Sequence, residues 1–332
     1  MQTAQWDSLL SLARRQSVAP LLYHRLRGPS APQPPPPVLS KLRLLSHVNA
    51  ARNQQLMDEL DTLLTLFRSH GIAAIPYKGP VLAATVYGDL TLRACGDLDI
   101  LLRPTDILRA GDLLRTVGYQ PEHQFRDARE EAEHLRADCE YNFRRASDAM
   151  LVELHWHFRP RFFPLPLDMD GLWDRARTVQ IGSVTVLTLA PEDLLLVLCV
   201  HGAKHCWERL GWICDVAALL RALPDLDGRA LAAQAKGLGC ERVLWLGLAL
   251  AQDLLGIAPP DSLRSDTSPV VSALAAQVRR QFFEGPGRPL DRSLFHLRVR
   301  DRMQDRLPYV RHRIRRQFWV LQQDWKSWKS SI

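Results

Sequence analysis

The segment AMLVELHWHF, residues 149–158, alternates well. Met150, Val152, Leu154 and Trp156 fall on one side, and Glu153, His155 and His157 on the other. A period of two means a strand with one dry face and one polar face. Strand-like segments of this kind occur only between 72 and 189: IAAIPY at 72–77, DLDILLR at 97–103 and VTVLTL at 184–189. Apolar residues on both sides of that window recur at helical spacing instead. The sheet is therefore confined to the middle of the chain, and the fold class is α+β.

The flanks read as follows. Residues 5–27 carry Trp6, Leu9, Leu10, Leu12 and Ala13 on a helical face, and GPSAPQPPPP at 28–37 is an extended connector. Residues 38–70 form one long helix or two, with Leu56, Leu60, Leu63, Leu64 and Phe67 on one face and Gly71 as the stop. Within the middle, KGPVLAATVYG reads as turn and helix. TDILRAGDLLRTVG is a helix with Thr105 as N-cap and Gly118 just past its end, while 119–145 is polar and carries no clear period. After 190 the chain is helical. Pro191 and two acids open APEDLLLVLCVHGAKHCW, and helices are predicted at 212–222, 228–238, 241–256 and 266–283. Three units follow: 1–70, 71–189 and 190–332. A length of 332 residues exceeds what one typical core supports.

Apolar residues make up 46% and charged residues 24%, which fits a globular protein. No apolar run approaches the roughly 20 residues of a membrane span. The start, MQTAQWDSLL, lacks a basic stretch followed by an apolar block, so no secretory signal is expected. Six cysteines without CxxC pairing read as reduced thiols, and the expected location is the cytoplasm. The net charge of +7 is uneven: from Arg288 onward twelve Lys or Arg face four Asp, so this tail holds 12 − 4 = +8. Lysine is scarce at six residues, which draws notice to Lys78 and Lys204.

The chemistry concentrates around GDLDILL. On a strand Asp97 and Asp99 project from one face while Leu98 and Ile100 point to the other. Carboxylates so close repel unless a cation or solvent and donors surround them. A solvated acidic turn is one reading of an isolated D-x-D, and a Mg²⁺ platform is the other. Glu153, a carboxylate in an otherwise apolar strand, and Lys78-Gly79, in a strand-to-helix turn upstream, favour the second. A third carboxylate suits two-metal phosphoryl chemistry, and the turn offers N–H groups and an ammonium to phosphates.

The order strand, KGPVLAATVYGDLTLRACGDLDILL, helix, VELHWHF resembles the nucleotidyltransferase superfamily related to DNA polymerase β. More narrowly, together with WDSLLSLARRQSVAPLLYHRL and HGAKHCWERLGWICDVAALL, it resembles a bacterial family of uncharacterised nucleotidyltransferases. The resemblance implies a small mixed β-sheet core flanked by an N-terminal helical segment and a C-terminal helical domain. It implies that Asp97, Asp99 and Glu153 hold two Mg²⁺ ions, with Glu153 also acting as base toward the acceptor. Lys78, Gly79 and Arg93 would serve the triphosphate of a bound NTP, or Arg93 would order the turn before Asp97. Since members are often encoded near peptide-modification or cell-surface polysaccharide genes, a co-encoded peptide or a saccharide precursor is one class of acceptor. The chain departs from the Gly-Gly or Gly-Ser pair of many members: Pro80 follows Gly79 and supplies no N–H.

His201, Lys204 and His205 share a helix face. A zinc protease would need Glu where Gly202 stands. Two readings stay open: packing of a polar helix face, or closure over the nucleotide by His201 and Lys204. Asp215 either orients one of these bases or caps a helix. The basic, aromatic stretch 296–332, with Phe318, Trp319, Trp325 and Trp328, suits an amphipathic helix on the body, a nucleic-acid surface or an anionic membrane contact. The leading function is transfer of a nucleoside monophosphate from an NTP. The alternatives are a non-catalytic binding protein on the same fold and a phosphotransferase using the same site.

Overall fold

In a computed structural model the described residues are 3–28, 31, 33–158, 168–224, 226–263, 268–285, 288–311 and 313–314. The N-terminal helices are α1 (Thr3–Arg15), α2 (Ala19–Leu26) and α3 (Pro36–Ser69). Ser17, with φ 57°, breaks the first helical stretch in two. The stretch predicted at 38–70 is one uninterrupted helix of 34 residues, Pro36–Ser69, with His70 as its C-cap. Leu56, Leu60, Leu63, Leu64 and Phe67 are buried along it, and Gly71 follows in the left-handed region.

The middle of the chain runs β1 (Ala74–Pro76), α4 (Gly79–Thr85), β2 (Asp97–Leu102), α5 (Ile107–Thr116), β3 (Tyr119–Pro121), α6 (Ala128–Ala137), β4 (Glu140–Arg145), β5 (Leu151–His155), α7 (Met169–Arg175), β6 (Arg177–Ile181) and β7 (Val184–Thr188). Five strands form a mixed sheet in the order β1-β2-β5-β4-β3, with β2 and β5 parallel, and β6-β7 is a separate hairpin. Thr105 is not the cap of α5: it sits in a 3₁₀ turn, Pro104–Asp106, and the helix begins at Ile107. The polar segment 119–145 contains β3, α6 and β4. Because α6 buries no residue, it leaves no apolar stripe to read.

The helical remainder is α8 (Pro191–Lys204), α9 (Leu210–Ala222), α10 (Gly228–Leu238), α11 (Glu241–Leu255), α12 (Pro269–Glu284) and α13 (Pro289–Arg298). The fold is α+β, as the alternation in the middle of the chain predicts. All six cysteines are free thiols. Among the described residues no helix is long and apolar enough to cross a membrane. Phe318, Trp319, Trp325 and Trp328 lie outside the described residues, as does most of the predicted contact surface 296–332.

Register explains how the sheet is used. Pairing places Asp97 beside Leu151, Asp99 beside Glu153 and Leu101 beside His155, while β4 sets Asn142 against Glu153 and Glu140 against His155. Side chains alternate, so Asp97, Asp99, Glu153, His155 and Glu140 share one face. Leu98, Ile100, Leu102, Val152, Leu154 and Phe143 share the other and are buried in one cluster with residues of α3 and α5. Each fully buried side chain of this kind contributes about 1.5–3 kcal/mol. A second core, centred on α8, α9, α11 and α12, reaches Ile75, Tyr77 and Leu101. The acidic face is thus held between a dry sheet core beneath it and a helical core beside it.

Candidate active site

A cavity of about 370 Å³ opens over the acidic face. Its walls come from the sheet (Asp97, Asp99, Glu140, Glu153, His155), from the turn holding Lys78, from Arg93, and from α8 and α9 through His201, Lys204, Trp212 and Asp215. Ser17, from the turn between α1 and α2, and Leu21 of α2 also reach it. All eight residues singled out from the sequence are brought to one place: seven line the cavity, and Gly79 lies beside them.

Lys78 Nζ lies 2.7 Å from Asp99 Oδ1 and 3.3 Å from His201 Nδ1. His155 Nε2 approaches the same Asp99 oxygen at 3.2 Å and Glu153 Oε2 at 3.4 Å. Both His155 nitrogens are buried and find no partner in hydrogen-bond geometry. One ligand atom each from Asp99, Glu153 and His155 fall within 4.8 Å of one another, and among the described residues this is the group suited to hold a metal ion. Asp97 lies outside that group, so the structure substitutes His155 for one of the three expected carboxylates at the tightest point.

Charge is distributed unevenly over this face. Burial pushes the Asp97 carboxyl up to about 6, helped by the neighbouring Asp99 and Glu153 charges. Burial acts the same way on Asp99, but Lys78 and His155 outweigh it and hold Asp99 well below the usual carboxylate range. Burial lowers the His155 imidazole, yet Asp99 and Glu153 raise it to about 9. The carboxylates therefore already draw in the protein's own cations.

The helical wall carries Lys204, His201 and His205 toward the sheet. Lys204 Nζ pairs with Glu140 Oε2 at 3.1 Å, which sets it against the sheet. Burial, then Lys78 and His205, push His201 well below its ordinary value. His205 is pushed down to about 4, chiefly by burial and then by Lys204. The His201 and His205 rings lie 4.8 Å apart and both pack on Trp212, at 5.0 and 5.3 Å. His201 and His205 are an aromatic and ammonium-facing pair, not a metal pair.

Gly79 opens α4 with φ +56°, and a Cβ there would stand 2.9 Å from the carbonyl oxygen of Asp97. Its smallness lets the turn press against the first residue of β2. Arg93 is turned toward Asp215: Nε donates to Oδ1 at 2.9 Å and Nη2 to Oδ2 at 3.0 Å, and Nη1 reaches the Gly79 carbonyl at 3.4 Å. Tyr87 OH donates to Asp215 Oδ1 at 2.7 Å. Asp215 therefore neither caps a helix nor orients His201 or Lys204; it anchors the loop before β2 to α9.

Sequence reasoning passed over Glu140, Tyr77, Tyr87 and Trp212. Glu140 sits in the segment without period, and only its pairing opposite His155 places it at the site. His155 was visible on the Glu153 face, and its place in the metal-ligating group comes from the parallel pairing of β5 with β2.

The sequence profile of a family described as uncharacterised nucleotidyltransferases matches residues 2–256. The chain is also similar to a solved structure, an antigenic nucleotidyltransferase-like protein from Paracoccidioides brasiliensis. Identity is 16%, the match covers 66% of this chain and 94% of that one, and the TM-score is 0.32. A search of curated proteins finds no match. The profile spans well over half of the 332 residues, and the chain belongs to the uncharacterised nucleotidyltransferase family.

Proposed function

We propose that this protein transfers a nucleoside monophosphate from an NTP to a hydroxyl or phosphate of an acceptor, releasing pyrophosphate. The observation that carries this reading is the convergence of Asp97, Asp99 and Glu153 with Lys78 on one sheet face, inside a cavity walled by α8 and α9. The reading places the chain with the polymerase β-like superfamily, in a bacterial cytoplasm, and divides it at 70/71 and 189/190.

The residues fit a divalent metal. Three carboxylates are crowded on one face, Asp97 is raised by burial and then by the charges of Asp99 and Glu153, and a buried imidazole lacks a partner in hydrogen-bond geometry. Asp97, Asp99 and Glu153 would hold the ions, Mg²⁺ being the one the family resemblance implies. When bound, such ions neutralise the triphosphate and the charge that develops during transfer.

The chain's own groups have separable roles. Lys78 lines the cavity beside Asp99 and would supply a compact charge to a phosphate. Gly79 keeps the turn close enough to β2 that Lys78 and Asp99 stay together. Arg93 positions the loop before Asp97 through Asp215. His201 and Lys204 close the cavity from the helical side. Glu153 is the base for the acceptor's proton. The acceptor is a small molecule, a peptide or a protein, with a co-encoded peptide or saccharide precursor the first to examine.

Incubation with each labelled NTP, Mg²⁺ and candidate acceptors tests this. The expected result is pyrophosphate release and an acceptor heavier by one nucleoside monophosphate. An acceptor heavier by one phosphate, or no metal-dependent nucleotide binding, overturns it.

A further inference from the structure

The family resemblance implies an all-oxygen Mg²⁺ site, and the structure places an imidazole in it. His155 is 4% exposed, at the end of β5, with Nε2 3.2 Å from Asp99 Oδ1 and 3.4 Å from Glu153 Oε2. Neither ring nitrogen meets a partner with hydrogen-bond geometry, although buried polar groups ordinarily do. Asn142, opposite Glu153 on β4, likewise has a buried side-chain oxygen without a partner. The ligand atoms of Asp99, Glu153 and His155 lie within 4.8 Å of one another. The 3.2 and 3.4 Å separations from His155 Nε2 are those of neighbouring ligands about 2.0–2.2 Å from one ion.

Donor chemistry then decides the metal. Mg²⁺ is a hard ion that takes oxygen ligands and keeps several waters. Imidazole suits the first-row transition dications, and affinity for a mixed N/O site rises from Mn²⁺ onward. Asp97, outside the tight group, has Asp99 as its carboxylate neighbour and offers an oxygen-only position.

We propose that His155, with Asp99 and Glu153, is a direct ligand of a first-row transition-metal dication, and that this imidazole selects such an ion over Mg²⁺. A second position, served by Asp97 and Asp99, is the one suited to Mg²⁺ carried in by the nucleotide. The proposal rests on the reading of this face as a metal site, but does not depend on nucleotide transfer.

The test uses the full chain, freed of metal by a chelator and studied without nucleotide. Mn²⁺ is the probe, followed by pulsed electron paramagnetic resonance and by competition with Mg²⁺. The expected result is a nitrogen hyperfine coupling on bound Mn²⁺, with Mn²⁺ held at least about tenfold more tightly than Mg²⁺. In His155→Gln the coupling disappears and Mn²⁺ affinity falls about tenfold or more, while Mg²⁺ affinity stays within about twofold. The wild-type spectrum alone is decisive if that variant misfolds: bound Mn²⁺ without nitrogen coupling overturns the proposal. So does coupling that persists in His155→Gln, or equal affinity for the two ions. Nitrogen coupling in a protein that never transfers nucleotide sinks the proposed function and leaves the metal set standing. Mg²⁺-dependent transfer by a protein whose Mn²⁺ shows no nitrogen does the reverse.

Discussion

Arg93 grips Asp215 with two nearly parallel bonds, at 2.9 and 3.0 Å, across 122 residues of chain. Both side chains are largely buried, and the pair ties the loop before β2 to α9. Burial alone would lower the guanidinium, but Asp215 holds it well above its ordinary value. Asp215→Asn leaves a buried guanidinium without its counter-charge, which costs about 3–5 kcal/mol. Arg93→Lys is expected to cost a similar amount, because an ammonium cannot make the fork. Chemical denaturation of the two variants checks this; a loss below about 1 kcal/mol in both means the clamp is solvated.

Lys78 occupies the Asp99 oxygen that a metal would want, at 2.7 Å. Replacing it with Met therefore has two opposite effects. Metal binding without nucleotide tightens, since the competing ammonium is gone, and metal-dependent NTP binding weakens, since a phosphate contact is gone. Calorimetric titration of Lys78→Met with Mn²⁺ and with an NTP analogue reads both. Tighter binding of each, or weaker binding of each, contradicts the dual role.

Gly79 has no room for a methyl group, with φ +56° and the Asp97 carbonyl 2.9 Å from its missing Cβ. Gly79→Ala is expected to cost about 1–2 kcal/mol for the left-handed backbone alone. The larger effect falls on turnover, down about hundredfold, because Asp97 must shift. Melting curves and transfer rates separate the two; full activity in a destabilised variant would show that the shift is absorbed elsewhere.

His205 adds an acid-sensitive element. Its imidazole titrates at about 4 in the folded chain, lowered by burial and then by Lys204 and Lys78, against about 6.5 unfolded. The unfolded state then binds the proton first, so the stabilising contribution is complete above 6.5 and is lost as pH falls toward 4. His205→Gln should flatten the wild-type loss over that window by about 1–2 kcal/mol, discounted for partial exposure. Denaturation midpoints from pH 7 to pH 4 measure it, and parallel curves for both proteins would rule the contribution out.

Much of this site was legible because apolar and acidic residues alternate at the start of β2 and along most of β5. Leu98, Ile100, Val152 and Leu154 declare the dry face, so Asp97, Asp99 and Glu153 must share the other. Lys78 and Gly79 were legible from their place between a strand and a helix. Partners across the chain were not. Asp215 sits inside the amphipathic pattern of α9, where nothing local announces Arg93 as its mate. Glu140 follows α6, a helix that buries none of its residues fully and gives no period to read, and nothing local announces Lys204 as its partner. Arg177–Ile181 also escaped notice, since its strand buries none of its residues fully.

The claim on which the account turns is that Asp97 and Asp99 hold a metal–nucleotide complex. Equilibrium binding of the four nonhydrolysable NTP analogues, with Mg²⁺ and with chelator, tests it in the wild type and in an Asp97→Asn, Asp99→Asn double variant shown by melting to be folded. The account predicts that at least one analogue binds only with metal, and that the double variant binds it about hundredfold more weakly or not at all. Binding that is indifferent to both metal and the two aspartates, or no binding of any of the four, would contradict it.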